Sequence, residues 1–284
     1  MNPAWVFVWP KLLVPTVLRP FSVRTLTRFR RLSVSILNCA VLLPKRTFFT
    51  ATFGEALRVR KALGAGPQIL VLNGPTADDV QYFPNAKLTP VLNSLPQVRL
   101  WNARGAAALH LDTGMNRLGL AAKDVLDGLL DGLSIDTLLS HLASADEDVP
   151  QNERQRAAFA ALAGRTNATR MSLANSAGIC LGPDYHFDLT RPGLALYGGI
   201  PRGEAVGHIM QVAHPQAQVI QRRRIKAGDS VGYNATFTAD RDMELAILNI
   251  GYADGYLRGF SNRGSAGGGR FPVVGRVSMD LLAI

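Results

Sequence analysis

The 284-residue sequence predicts an α/β chain, a (β/α)8 barrel over residues 46–207 followed by a partial, mainly β domain over residues 208–284. Two observations carry this. From Arg46 onward, short apolar runs alternate with helical segments. That strand-then-helix order argues for parallel strands with crossover helices, and the number of units favours a closed, TIM-type barrel over an open sheet. Beyond Gly199 the helical pattern gives way to alternating, strand-like segments.

Taken in order, residues 48–52 read as a strand and EALRVRKALGAG as the helix after it. Residues 68–73 form a buried strand, 76–82 a helix and 88–92 the next strand. The apolar run 106–111 leads into Asp112-Thr113-Gly114-Met115-Asn116-Arg117-Leu118-Gly119, where Gly114 and Gly119 supply the freedom of a tight strand-to-helix turn. Next come the helical KDVLDGLLDGL, a strand at 137–142, a helix at 152–163 and a strand at 170–173. In the β part, residues 216–224 alternate and Lys226-Ala227-Gly228-Asp229 reads as a hairpin-type turn. Residues 232–238, 244–250 and 272–279 read as strands, and with Ile284 closely following the last of them the β domain is expected to be truncated.

An apolar content of 47% provides for a substantial core. The net charge of +10 is unevenly placed: residues 1–45 hold seven basic groups and no acid, and the remainder holds 24 basic against 21 acidic groups. That first segment has no settled period and reads as a disordered basic arm, of a composition that a shifted reading frame or a rearranged gene start would produce. It carries no nucleic-acid motif and no interleaved stacking aromatics, so a nucleic-acid-binding module is the least favoured reading. The apolar stretch 4–18 is broken by Pro10, Lys11 and Pro15, too short for a spanning helix and unlike a secretory signal, so no membrane partner is expected. Cys39 and Cys180 lack metal or redox spacing, which points to reduced thiols, a cytoplasmic protein and no bound metal.

In a barrel, ligand groups sit at the carboxyl ends of the strands, so polar residues that terminate apolar runs are the candidates. Arg117 offers a rigid fork for a carboxylate or a phenolate. His141 follows TLLS and by itself reads equally as a core imidazole. Asn175 and Ser176, followed by Ala177 and Gly178, leave room for an anion at a helix start, although the same residues are ordinary turn chemistry. Arg191-Pro192-Gly193-Leu194 adds a cation beside an open backbone. Tyr233 in VGYNATF and Met279 in VGRVSMD are anonymous when taken singly.

Together, and in this order, TFFTAT, DTGMNRLG, SHLASADE, SLANSAG, RPGLALYGG, VGYNATF, IGYADGY and VGRVSMD resemble the alanine racemase family, over about residues 46–284. The resemblance implies an enzyme that interconverts L- and D-alanine with pyridoxal 5'-phosphate by two-base α-proton transfer, supplying D-alanine for peptidoglycan. It also implies a homodimer with shared active sites. Arg117 then contacts the phenolic oxygen and orders the substrate carboxylate, Arg191 faces the pyridine nitrogen, and His141 hydrogen-bonds to Arg191. Asn175, Ser176, Gly193 and Leu194 bind the phosphate. Tyr233, supplied by the other subunit, takes the α-proton of L-alanine, and Met279 lines the carboxylate site. His110 stands where some relatives carry a modified lysine.

One departure stands out. The family's Schiff-base lysine lies in a VVKADAYG-like motif on the first barrel strand, together with a tyrosine that contacts the phosphate. Here the region reads FSVRTLTRFRRLSVSILNC, with no lysine between Lys11 and Lys45. A barrel lacking its usual first strand and an impaired racemase are therefore expected, with a non-catalytic pyridoxal-phosphate-binding protein as the alternative.

Overall fold

The computed structural model describes residues 6–8, 47–102, 104–126, 130, 132–210, 212 and 215–284. It divides into two compact units, Met1–Ala213 and His214–Ile284. The basic segment over residues 1–45, with Lys11, Cys39 and Lys45, lies outside the described residues except at Val6–Val8.

The first unit is built on seven parallel strands in sequence order. They are β1 (Val6–Val8), β2 (Thr47–Thr50), β3 (Gln68–Val71), β4 (Thr89–Leu92), β5 (Ala107–His110), β6 (Ile135–Leu139) and β7 (Arg170–Ser172). Where the sequence predicts a barrel without a first strand, β1 pairs with β2, Val6 opposite Thr47; its apolar, β-branched composition suits a strand. Past β7 the chain comes back alongside it, with the Asp188 amide donating to the Met171 carbonyl at 3.0 Å and the Arg191 amide to that of Ala174 at 2.8 Å. Phe49, Leu70, Val91, Ala108, Leu139 and Leu189, one from each of β2 to β6 and one from this returning segment, pack into a single buried cluster. Side chains of a curved sheet meet in this way inside a TIM-type barrel.

Outside the strands lie α1 (Phe53–Leu63), α2 (Leu95–Trp101), α3 (Ala122–Leu126), α4 (Pro150–Ala160) and α5 (Ser176–Cys180). Helix α1 starts at a capping box in which Thr52 Oγ1 accepts the Glu55 amide and Glu55 accepts the Thr52 amide. Ala56, Val59, Val98, Trp101 and Phe159 bury the inner faces of α1, α2 and α4. One predicted helix shrinks, 76–82 becoming a 3-10 turn at Val80–Tyr82, and KDVLDGLLDGL, which lies partly outside the described residues, contributes to α3. The strand predicted to run to residue 142 ends at Leu139, and Leu142 beyond it lines a cavity wall.

The amino end of the barrel is closed by side chains from four strands. Arg170 donates through Nη2 to Asp136 Oδ2 at 2.7 Å, Gln68 Oε1 at 2.8 Å and Thr137 Oγ1 at 2.8 Å, and through Nη1 to Thr47 Oγ1 at 3.4 Å. Gln68 Nε2 also donates to Asp136 Oδ2. With that end clasped, ligand access belongs to the carboxyl ends of the strands.

The second unit is β-rich. Its main sheet is antiparallel, in the order β14 (Leu282–Ala283), β11 (Met243–Leu248), β8 (Val219–Ile225). Beside it are the small ladders β9 (Ser230–Val231) with β10 (Phe237–Thr238), and β12 (Ser265–Ala266) with β13 (Phe271–Pro272). The strand predicted over 232–238 is interrupted by a 3-10 turn at Tyr233–Ala235, where Gly232, Asn234 and Ala235 all take positive φ. Lys226 to Asp229 do turn: the Asp229 amide meets the Lys226 carbonyl at 3.0 Å and Gly228 has φ 92°. Val231, Leu245, Val274 and Ala283 form one buried cluster of this unit, and Leu248, Val273, Val277 and Leu282 another. Among the described residues, no helix is long and apolar enough to cross a membrane.

Candidate active site

Within the first unit, a cavity of about 570 Å³ opens at the carboxyl ends of the strands. Its lining includes His110, Arg117, His141, Asn175, Ser176, Arg191, Gly193 and Leu194. Seven predicted site residues of this unit, together with His110, thus share one cavity although they come from five separate segments.

Arg117 is carried by a loop that its own backbone fixes. Asp112 Oδ1 accepts the amides of Gly114 and Met115 at 2.9 Å and of Asn116 at 3.1 Å. Burial opposes ionisation of this carboxyl, yet these amide bonds hold it below the usual carboxylate range. The loop closes where the Leu120 amide donates to the His110 carbonyl at 2.8 Å and the Asp112 amide to that of Leu120 at 2.9 Å. Gly119 has φ 119°, and a Cβ there would stand 2.5 Å from the Asp112 nitrogen, so the crossing requires glycine. From α4, Gln155 Nε2 donates to Thr113 Oγ1 at 3.2 Å and to the His141 carbonyl at 3.0 Å, while Gln155 Oε1 accepts the Ala143 amide at 2.9 Å. One buried amide side chain therefore holds the loops after β5 and β6 together.

Arg191 is buried and lies over the Phe49 ring at 6.0 Å. Its Nη1 donates to Ser172 Oγ at 2.5 Å, and its Nη2 to the carbonyls of Ser140 at 2.5 Å and Leu173 at 3.3 Å. Burial pulls its pKa down to about 10, which leaves it protonated at neutral pH. Among the described residues, neither Arg191 nor Arg117 forms an ion pair with a carboxylate. The hydrogen bond between His141 and Arg191 that the resemblance implies is not formed; the guanidinium donates instead to neutral oxygens. His141 is pushed down to about 3 and His110 to about 4, by burial first and then by Arg191 and Arg117, so both imidazoles are neutral.

At the far wall, Asn175 Oδ1 caps α5 by accepting the Gly178 amide at 2.8 Å. Ser176 Oγ accepts the amides of Gly193 at 2.8 Å and Ala195 at 3.2 Å. A Cβ on Gly178 would approach Leu142 Cδ1 to 2.8 Å, so a larger residue there would displace that side chain at the cavity wall. Asn, Ser and two backbone amides converge here as neutral donors and acceptors suited to a phosphate.

A family model described as the alanine racemase N-terminal domain matches residues 33–201, and one for the C-terminal domain matches residues 212–284. The chain belongs to the alanine racemase family. It is 43% identical over 257 residues to the alanine racemase of Rickettsia canadensis, covering 84% of this chain and 70% of the relative. With that of Rhodospirillum rubrum it shares 45% identity over 253 residues, covering 84% and 67%. Among solved structures, the Bartonella henselae alanine racemase with covalently bound pyridoxal phosphate superposes with a TM-score of 0.74 at 36% identity, over 84% of this chain and 70% of that one. The biosynthetic alanine racemase of Pseudomonas aeruginosa matches at TM-score 0.74 and 34% identity, with the same coverage. By family, the chain is an amino-acid racemase.

Two expected alanine racemase positions lie in the second unit, where Tyr233 is 63% and Met279 54% exposed. There the motifs GYADGY and VGRVSMD meet: the Tyr252 amide donates to the Ser278 carbonyl at 3.0 Å and the Ala253 amide to that of Met279 at 2.9 Å. Asn93, Ser140, Gln155 and Ser172 support the site without having been singled out in the sequence. Asn93 did carry a usable signal, since it terminates the apolar run TPVL as the other candidates terminate theirs.

Proposed function

We propose that this alanine racemase homologue binds pyridoxal 5'-phosphate in the first-unit cavity and derives from an enzyme that interconverts L- and D-alanine by two-base α-proton transfer. The observation that carries the reading is the buried, protonated Arg191, which shares one cavity with Arg117 and the Ser176 cradle and has no carboxylate partner. A phosphorylated, anionic pyridine fits this donor set. Asn175, Ser176, Gly193 and Leu194 would hold the phosphate, and Arg117 the phenolic oxygen. The Gly193 amide is engaged by Ser176 Oγ, so it would contribute through that hydroxyl or exchange its bond.

When bound, the cofactor supplies an electron sink that acidifies the α-C–H of an amino acid. Arg191 keeps its own proton and would leave a facing ring nitrogen unprotonated, which favours simple reprotonation over side reactions. Arg117 would also orient the substrate carboxylate, and Met279 would border it. Tyr233, contributed by the partner in a homodimer, would exchange the proton at its Oη on one face. The opposite face needs a second base, and among the described residues the cavity lining contains no lysine. The chain's six lysines are Lys11, Lys45, Lys61, Lys87, Lys123 and Lys226. This supports an impaired racemase, and a pyridoxal-phosphate-binding protein without turnover is the second reading. A cytoplasmic setting and a role in D-alanine supply for peptidoglycan follow the family.

The test mixes the purified chain with pyridoxal phosphate, reduces with borohydride, digests, and assays alanine racemisation in parallel. Saturable, reversible binding with no labelled lysine supports impairment. A labelled lysine accompanied by racemisation removes the impairment, and absence of any binding defeats the cofactor reading.

A further inference from the structure

We propose that Arg202 is a positioning residue of the cavity: its guanidinium clasps two stretches of the wall together and so sets how readily pyridoxal phosphate enters and leaves. The proposal deepens, and rests on, the reading of this cavity as a cofactor site.

The loop after β6 contributes Ala143, Ala145 and Asp146 to the wall, and a later stretch contributes Ile200 and Pro201. Arg202, directly after Pro201, spans the two. Its Nη1 donates to the Ala145 carbonyl at 2.9 Å and its Nη2 to Asp148 Oδ1 at 2.5 Å. Glu204 receives Nε on Oε2 at 3.1 Å and Nη2 on Oε1 at 3.0 Å. This two-pronged bond fixes the plane of the guanidinium and leaves Nη1 for the Ala145 carbonyl. The Arg202 side chain is only 6% exposed and stands behind the lining, so it acts through Ala145 and Pro201.

One side of the clasp is firmly held. On the β6 loop, the Ala143 amide donates to Gln155 Oε1 at 2.9 Å, Ser144 Oγ to Gln151 Oε1 at 2.9 Å, and Asn152 Nδ2 to the Glu147 carbonyl at 2.8 Å, all from α4. The other side depends on Arg202. Among the described residues, every hydrogen bond between residues 200–206 and the chain before them starts on the Arg202 side chain. Ala205 is the only buried residue of that segment, so apolar packing adds little. Gly198, with φ 82°, stands just before it as a pivot. Asp148 is exposed and its ion pair weak, which leaves the Ala145 bond, aimed by Glu204, as the main tie. A wall segment that swings free opens the way in and the way out alike, so both rates follow the open fraction while their ratio changes little.

Stopped-flow binding of pyridoxal phosphate, with hydrogen exchange of the cofactor-free chain, decides the matter. R202M should raise association and dissociation rates together by about tenfold, the scale of the charge-assisted bond it removes. R202K keeps the charge but not the fork and should do the same, whereas D148N should stay within about twofold of the unsubstituted chain. E204A leaves the buried arginine in place and should raise both rates about threefold, which keeps the test open if the arginine variants do not fold. Faster release with unchanged association in R202M and E204A marks a merely structural role and overturns the proposal, as does R202K behaving like the unsubstituted chain. In R202M the amides of Ala205 and Val206 should exchange about tenfold faster while that of Glu147, on the anchored loop, keeps its rate. Unchanged exchange at Ala205 overturns the clasp whether or not the cofactor binds. Quickened exchange with no binding at all defeats the cofactor reading instead, and the gate with it.

Discussion

Ser176 Oγ receives the backbone amide of Gly193 at 2.8 Å, and so joins the end of the seventh strand segment to the turn after Arg191. The same oxygen takes the Ala195 amide at 3.2 Å, so the hydroxyl organises both amides at the phosphate wall. Removing it in Ser176→Ala should lower pyridoxal phosphate affinity about tenfold and cost about 1 kcal/mol of stability. Cofactor titration and chemical denaturation check the two effects, and unchanged affinity would count against the cradle.

Gln155 makes three hydrogen bonds from a fully buried position, to Thr113, His141 and Ala143. Gln155→Leu keeps the bulk but strands the Ala143 amide and the His141 carbonyl. A loss of about 1–3 kcal/mol is expected from leaving such groups unpaired. Because the Arg117 loop leans on the same side chain through Thr113, cofactor affinity should fall with stability. Denaturation midpoints and titrations on the same sample measure both.

The barrel and its cavity were legible in the sequence where local chemistry and tertiary role agree. Apolar runs ended by Arg117, His141, Asn175 and Arg191 mark strand ends, and the strand ends do share one cavity. What was not legible depends on distant partners. Nothing local shows that Arg191 bonds to Ser172 and Ser140 in place of His141, since those oxygens come from other strands. The break at Tyr233–Ala235 was hidden because its residues suit a strand, while the positive φ of Asn234 and Ala235 is set by the surrounding fold. The clasp of Arg170 with Gln68 and Asp136 was invisible for the same reason: its members are scattered and each is ordinary by itself.

That clasp lies at the amino end of the strands, away from the cavity at their carboxyl ends. Arg170→Met should therefore lower stability by about 1–3 kcal/mol, reduced toward the lower figure by the partial exposure of the Arg170 and Asp136 side chains. Cofactor affinity at a temperature well below the transition should stay within about twofold, as expected for non-contacting sites. A large affinity loss in the folded variant would show that the two ends of the barrel are coupled.

His110 and His141 make stability depend on mild acid. Their ordinary value is 6.5, and burial followed by the two arginines takes them to about 4 and about 3 in the folded chain. As pH falls, the unfolded chain takes up these two protons before the folded chain does, so acid favours unfolding. The histidine contribution is thus whole above about pH 6.5, declines as pH drops from there toward 4, and levels off below the folded values. At pH 5 each histidine should cost about 2 kcal/mol relative to pH 7. The lowered Asp112 acts in the same direction but only near and below 3.8, outside this window. Urea denaturation at pH 7, 6 and 5 measures the slope, and H110Q, which cannot titrate, should remove about half of it. A flat profile between pH 7 and 5 would mean that the two imidazoles are not neutral and buried among cations.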